Sequence, residues 1–274
     1  MSEEENKSDL INSAANLAKA IPIYDDALQP VMKETGKVLS TAGRAVNVAI
    51  APIRGLVWGA ERIEEWIATN VAKKLDNVPP DEIVTPDLAI AGPTIEALKF
   101  NGHKPELSEM FANLLASSMT KVTHRNAHPS YVGIISAMSS LDAQIFSAVS
   151  SRHALPTIRV IRVTEGVAGS VTVVTHFHPD LAKITLGYLG VHQGILEATQ
   201  ASTERLERLG LIRAVSDGYL TSERNKKEYL ELETDKYIKA FKRLDVDGLS
   251  SHEAQKSYLI ITQIGKNFRD IVLR

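Results

Sequence analysis

Ile158-Arg-Val-Ile-Arg-Val163 and Val171-Thr-Val-Val-Thr175 decide how this chain folds. Both stretches are dense in β-branched residues, whose stiff side chains suit a pleated strand, and Gly166 and Gly169 lie between them. They read as two strands, a hairpin being the simplest pairing. Upstream of Pro156 the apolar residues recur with a helical period, so the texture changes here. A domain boundary therefore follows residue 155. Residues 1–30 form a tail and short helix, 31–155 a helical domain, and 156–274 a smaller α+β domain.

Working upstream, the most distinctive stretch is a long amphipathic helix. Val38, Ala42, Ala45, Ala49, Ile53, Leu56, Ala60, Ile63, Ile67, Val71 and Leu75 follow one another in steps of three and four, which is one face of a helix. Pro52 and Gly55 kink or split it, and Pro79-Pro80 ends it. Further helices are expected at about 87–100, with Pro93 as a suitable first-turn residue, and at Pro105–Thr120, with Leu107, Met110, Phe111, Leu114 and Leu115 inward. Another follows Pro129, and Ser140 caps one carrying Ile145, Phe146 and Val149.

Downstream, helices are expected over about 180–198 and 201–209. The run Glu204-Arg-Leu-Glu-Arg-Leu-Gly-Leu-Ile212 is a helix stopped at Gly210 and followed by a short strand. A charged helix covers about 222–244, Tyr258-Leu-Ile-Ile-Thr262 is a strand, and Ile264–Leu273 is a closing helix. The Leu-Gly-Leu-Ile and Thr262-Gln-Ile-Gly265 cadence resembles that around the wing of winged-helix proteins. The fold class expected is mostly α: a multi-helix N-terminal region, then a smaller α+β region resembling a winged helix.

The 274 residues, 44% hydrophobic and 23% charged, suit a globular chain. The absence of cysteine excludes disulfides, thiolate metal sites and a cysteine nucleophile. The net charge of -2 gives no general case for nucleic acid. An acidic start, Met1-Ser-Glu-Glu-Glu-Asn6, and the lack of an apolar run of about 18 residues make the cytoplasm the expected compartment.

Four constellations bear on function. Residues 45–60 hold one charge, Arg54. Val46, Ile50, Ile53, Leu56, Val57 and Trp58 offer apolar contact there, with Lys37, Arg44 and Arg54 placed to meet headgroups. Such a helix docks on a bilayer surface, here the inner membrane, or packs against the 87–150 helices or a second protomer. His176-Phe-His178 on a strand would set both imidazoles on one face with Asp180 nearby, but Pro179 intervenes and no distant pair completes a tetrahedron, so no metal site is expected. Arg125-Asn-Ala-His128 is the nearest approach to the Arg/His pair of helical ribonucleases, with a shorter spacing than theirs. His124 and His128 cap or line a turn. No phosphate loop and no nucleophile elbow is present. Ser202–Leu209, the recognition helix of a winged-helix reading, sets Glu204 and Glu207 against Arg205 and Arg208, and so offers no net positive charge to a phosphate backbone.

Ala51-Pro-Ile-Arg-Gly-Leu-Val-Trp-Gly59, Ile83-Val-Thr-Pro-Asp87, Ala91-Gly-Pro-Thr-Ile-Glu-Ala-Leu98, Glu109-Met-Phe-Ala-Asn-Leu-Leu-Ala-Ser-Ser-Met119, Ala127-His-Pro-Ser-Tyr131 and Leu206-Glu-Arg-Leu-Gly-Leu-Ile212 together resemble the abortive-infection alpha family, a bacterial group linked to phage defence. The resemblance implies an antiphage role and supplies no catalytic or ligand residues. The expectation is a non-enzymatic effector or sensor that needs no cofactor or metal and works through a protein partner or homo-oligomer, with peripheral membrane docking. A winged-helix nucleic-acid-binding regulator is the alternative, and a helical ribonuclease the remoter one.

Overall fold

The structure is a computed structural model that describes residues 66–164, 171–241 and 250–274. The long-helix residues Lys37, Arg44, Val46, Ile50, Ile53, Arg54, Leu56, Val57 and Trp58 lie outside the described residues. The chain divides into two compact units: Met1–His103 with Ser108–Val132, and Lys104–Leu107 with Gly133–Arg274. It is mostly helical, with one four-stranded antiparallel sheet among the described residues. No single described helix is long and apolar enough to cross a membrane.

In the first unit a π-helical turn, Ile67–Val71, leads into α1 (Ala72–Leu75). α2 (Leu88–Asn101) and the part of α3 (Pro105–Ser118) from Ser108 onward complete the packing. Ile67, Val71 and Leu75, the last members of the long apolar stripe, are buried with Ala91, Ile95, Ala112, Leu115 and Met119. That end of the stripe is therefore core. Helix α2 starts earlier than Pro93. Asp87 accepts the Ala89 amide at 2.8 Å and caps the helix, so the proline sits a turn inside it, where it removes one backbone bond without ending it.

The second unit is built on the sheet. β1 (Ala154–Thr164) and β2 (Val171–Phe177) form the expected antiparallel pair, with a register shift at Val160/Ile161. β4 (Ser250–Ile261) pairs with β1 along its whole length, and β3 (Ile212–Val215) pairs with β4, giving the order β2-β1-β4-β3. One face buries Ile158, Val160 and Phe177 with Tyr229, Leu232 and Ile238. Thr157 and Ser257, paired across β1 and β4, hydrogen-bond at 2.8 Å in buried surroundings. Phe146 of α5 (Ser140–Ser150) and Phe268 of α10 (Gln263–Val272) stack at 5.5 Å. Between α3 and α5 runs α4 (Ser130–Ser136).

Several boundaries differ from expectation, each for a local reason. Ser139, one residue before the expected cap, closes a capping box with Asp142 at the start of α5. The helix expected over 180–198 is two, α6 (Pro179–Leu189) and α7 (Ile195–Arg208), because Gly190 and Gly194 take the left-handed region at φ 69° and 78°. The charged helix ends at Thr234, since Asp235 is extended. It splits into α8 (Glu223–Thr234) and α9 (Lys236–Phe241).

The two sequence cadences meet in one corner. After α7, Gly210 turns at φ 73° and its amide bonds to Glu207, while the Leu211 amide bonds to Leu206, a Schellman stop. Thr262 Oγ1 then donates to the Gly210 carbonyl at 2.5 Å and accepts from the Gly265 amide at 2.9 Å. Gly265 lies so close to this turn that a Cβ there would sit 2.0 Å from the Leu211 carbonyl oxygen.

Candidate functional site

Where β2 ends, the chain must turn from strand to helix. His178 is extended, and Pro179 follows as the first helical residue of α6, where its missing N–H costs nothing. His178 Nδ1 accepts the Asp180 amide at 3.1 Å, so the imidazole is the helix cap. That bond requires an unprotonated Nδ1 and places the ring hydrogen on Nε2, which donates to Glu228 Oε1 at 3.2 Å. Arg152, just beyond α5, donates to the same carboxylate oxygen at 2.5 Å and lies 3.9 Å from Asp180.

Glu228 comes from α8. That helix is capped by Ser222, whose hydroxyl accepts the Asn225 amide. It is fixed to the sheet by buried Tyr229 and Leu232, with the Tyr229 hydroxyl donating to the Ser257 carbonyl at 2.7 Å. Between α8 and the start of α6 lies a cleft of about 490 Å³. Arg224, Lys227, Glu231 and Asp235 line it from the α8 side, and only Pro179 and Leu232 among its walls are apolar.

Burial lowers the His178 pKa, which Glu228 and Asp180 oppose without reversing. Burial works to raise the Glu228 carboxyl, but hydrogen bonds from Arg152 and His178 outweigh it and hold it below the usual range. The trio is thus an ionised carboxylate between a neutral imidazole and a guanidinium. Chemically it is a clamp. One imidazole lone pair is taken by the Asp180 amide and the ring hydrogen by Glu228, so neither nitrogen has a free position for proton transfer to a bound molecule.

The His176-Phe-His178 pair does not act as a unit. Both rings are buried, but the strand ends between them. His176 faces Ser257 Oγ at 3.4 Å, and its amide donates to Gln200 at 3.1 Å. Burial, aided by Arg159 and opposed by Glu204, pushes the His176 pKa down to about 4. Among the described residues no three His, Cys, Asp or Glu side chains are grouped to hold a metal ion. In the first unit His124 Nδ1 contacts the Lys121 carbonyl at 2.8 Å, and His128 Nδ1 accepts the Ser130 amide at 3.1 Å, so both serve turns. Arg125 is exposed beside them.

α7 also carries a network. Asp142 is fully buried and takes hydrogen bonds from Ser202 at 2.6 Å and from Arg205 at 2.9–3.2 Å. Burial would raise its carboxyl, yet Arg205, Ser202 and Ser139 together lower it. Of the two guanidinium groups that a nucleic-acid reading of α7 would use, that of Arg205 is engaged by Asp142. Sequence reasoning treated 222–244 only as a polar helix and passed over Arg152, Arg224, Lys227, Glu228 and Glu231. The available signal was the order of charge after Glu223 on α8, Arg224, Lys226 and Lys227 before Glu228, Glu231 and Glu233, which is the reverse of what a helix dipole favours.

An α-rich chain with an antiparallel sheet and a charge-lined, clamp-braced cleft is the class these observations define. The model of the family described as abortive infection alpha matches residues 59–272, and the chain belongs to that family. Membership links it to abortive infection. No curated protein matches the chain. Among solved structures it is similar to an uncharacterized protein from the hydrocarbon-degrading marine bacterium Alcanivorax borkumensis SK2. That match has 14% identity, covers 56% of this chain and 96% of that one, and has a TM-score of 0.31, too low to carry an argument.

Proposed function

We propose that the chain is a non-enzymatic effector or sensor of abortive infection that works through protein contacts on the α8 side of its cleft. The observation that carries this reading is the contrast within the cleft. His178, Glu228 and Arg152 are closed on one another, while Arg224, Lys227 and Glu231 have no ion-pair partner among the described residues. A winged-helix shape used for protein contacts belongs to the same proposal, supported by the joint of Gly210, Thr262 and Gly265. Peripheral docking of the part of the long helix upstream of Trp66 on an anionic membrane is its remaining part, supported by Lys37, Arg44 and Arg54 around an apolar stripe. Flotation with anionic and neutral vesicles tests that part.

The test of the main reading is phage challenge of cells expressing the chain, with a phage it restricts. His178→Asn keeps a cap acceptor but removes the imidazole. Protection is expected to survive it and to be lost in the double variant Arg224→Glu/Lys227→Glu. A folded His178→Asn protein that no longer protects would overturn the non-enzymatic reading. Full protection by the double variant would overturn the assignment to α8.

A further inference from the structure

The outer face of α8 carries a pattern that its own fold does not use. Tyr229 and Leu232 point into the core, while Arg224, Lys227, Leu230 and Glu231 are all exposed, three of them (Arg224, Lys227 and Glu231) along the α8 rim of the cleft. Leu230 is 61% exposed, a large apolar side chain in the middle of a charged helix. Lys227 and Glu231 are four residues apart on one face, within reach of an intrahelical ion pair though in the less favourable order. Neither makes one, although Lys226 pairs with Glu223 at 2.6 Å and Glu233 with Lys256 at 3.4 Å on the same helix. Arg224 and Lys227 also precede Glu231 along this face, against the helix dipole, although Glu223 opens the helix.

Such a stripe is complementary to itself. When a second α8 lies antiparallel across it, Lys227 meets Glu231 of the other copy, and Arg224 meets Asp235 of the other copy, the half-buried residue after α8 whose Oδ1 also accepts the Tyr237 amide. Both pairings share a midpoint beside Tyr229 and Leu230, so a single two-fold axis satisfies them together and brings Leu230 near its own counterpart. An isologous contact requires this property, in which residue i meets j and j meets i.

We infer that α8 is a homodimer interface and that the partner on this face is a second copy of the chain. The inference rests on the reading that α8 acts through protein contacts, and narrows it to one partner. Charge complementarity of this kind sets register and excludes wrong partners.

The experiment is sedimentation equilibrium of the full chain and of Lys227→Glu and Glu231→Lys, each alone and mixed. The wild type is expected at twice the 30.0 kDa chain mass, with a dissociation constant that rises with salt. Each single variant sets like charges against each other twice and should dimerise more weakly by about tenfold or more. The equimolar mixture restores both opposite-charge contacts and should dimerise like the wild type. A wild type that stays monomeric overturns the inference, as does a dimer unaffected by either reversal or a mixture that stays monomeric. Phage challenge with the same variants separates the two levels. A monomeric wild type whose reversals still abolish protection removes the self-partner and leaves the protein-contact reading standing. A dimer whose loss leaves protection intact supports the interface and removes its role in defence.

Discussion

α7 and α8 are both charged helices of the same unit: α7 leaves Glu197 and Arg208 without an ion pair among the described residues but holds its other charges within the fold, whereas α8 divides its charges between an engaged side and an open one. On α7, Arg205 is held by buried Asp142, Glu204 by Gln200, and Glu207 by the Ala214 amide. Its C-terminus is locked by the Gly210 stop against Thr262 and Gly265. On α8 the inner charges are similarly engaged. Glu228 takes Arg152 and His178, and Lys256 bridges to Glu233 while lying 5.7 Å from each of the Tyr219 and Tyr229 ring centres. Of its outer charges Lys226 and Glu223 pair with each other, while Arg224, Lys227 and Glu231 are left open. The difference separates residues the fold needs from residues it merely carries, and the second kind is where an external partner can be sought.

The comparison breaks most sharply at the α7 corner. Gly265→Ala places a methyl group 2.0 Å from the Leu211 carbonyl oxygen, a backbone atom that cannot swing away. A loss of about 4 kcal/mol, above the usual overpacking range, is expected in urea unfolding. Asp142→Ala comes next. It removes the capping-box acceptor and the partner of Ser202 and Arg205 together. The Arg205 side chain is 40% exposed, so water reaches the guanidinium that is left. The cost is then mainly that of the unmade bonds and the cap, about 3 kcal/mol.

pH probes the buried side of the same region. The His176 pKa is depressed from 6.5 to about 4, so the folded state binds fewer protons than the unfolded one, and stability rises with pH. The contribution, about 3 kcal/mol, is fully present above about pH 6.5 and is lost as pH falls toward 4. His178, also depressed by burial, acts in the same direction. Stability measured against pH should therefore fall through this window. His176→Gln should flatten the slope, and an unchanged slope would mean that the ring is not buried neutral.

Much of this architecture was legible. The β-branched runs at 158–163 and 171–175 pair as read, β1 offering one edge to β2 and the other to β4. Leu107, Met110, Phe111, Leu114 and Leu115 are all buried, since a 3.6-residue period names one face without further information. The helix breaks at Gly190–Gly194 and Asp235 were not legible, because they depend on local backbone angles and not on the apolar pattern. The cleft was least legible. Arg152 and Glu228 are 76 residues apart and meet only once the sheet has placed α8 beside the start of α6. The His176-Phe-His178 spacing suggested one face of a strand, but Pro179 turned the second histidine into a helix cap.

The smallest effect is the most discriminating. Exchanging the two outer charges, Lys227→Glu with Glu231→Lys, puts the acid before the base at a spacing of four and aligns both with the helix dipole. If α8 carries these residues only for solubility or for a partner, the exchange should leave the fold unharmed and raise its stability by about 0.3–0.5 kcal/mol. The equivalent operation on α7 has no such freedom, because Arg205 answers a fully buried carboxylate. Thermal unfolding of the exchanged protein, run below the concentration at which it self-associates, checks the expectation. A fall in stability would mean that Lys227 and Glu231 are structural like Arg205, and the distinction between the two helices would collapse. A small rise would show that the native order of charge works against the helix that bears it, and so is kept for something outside the fold.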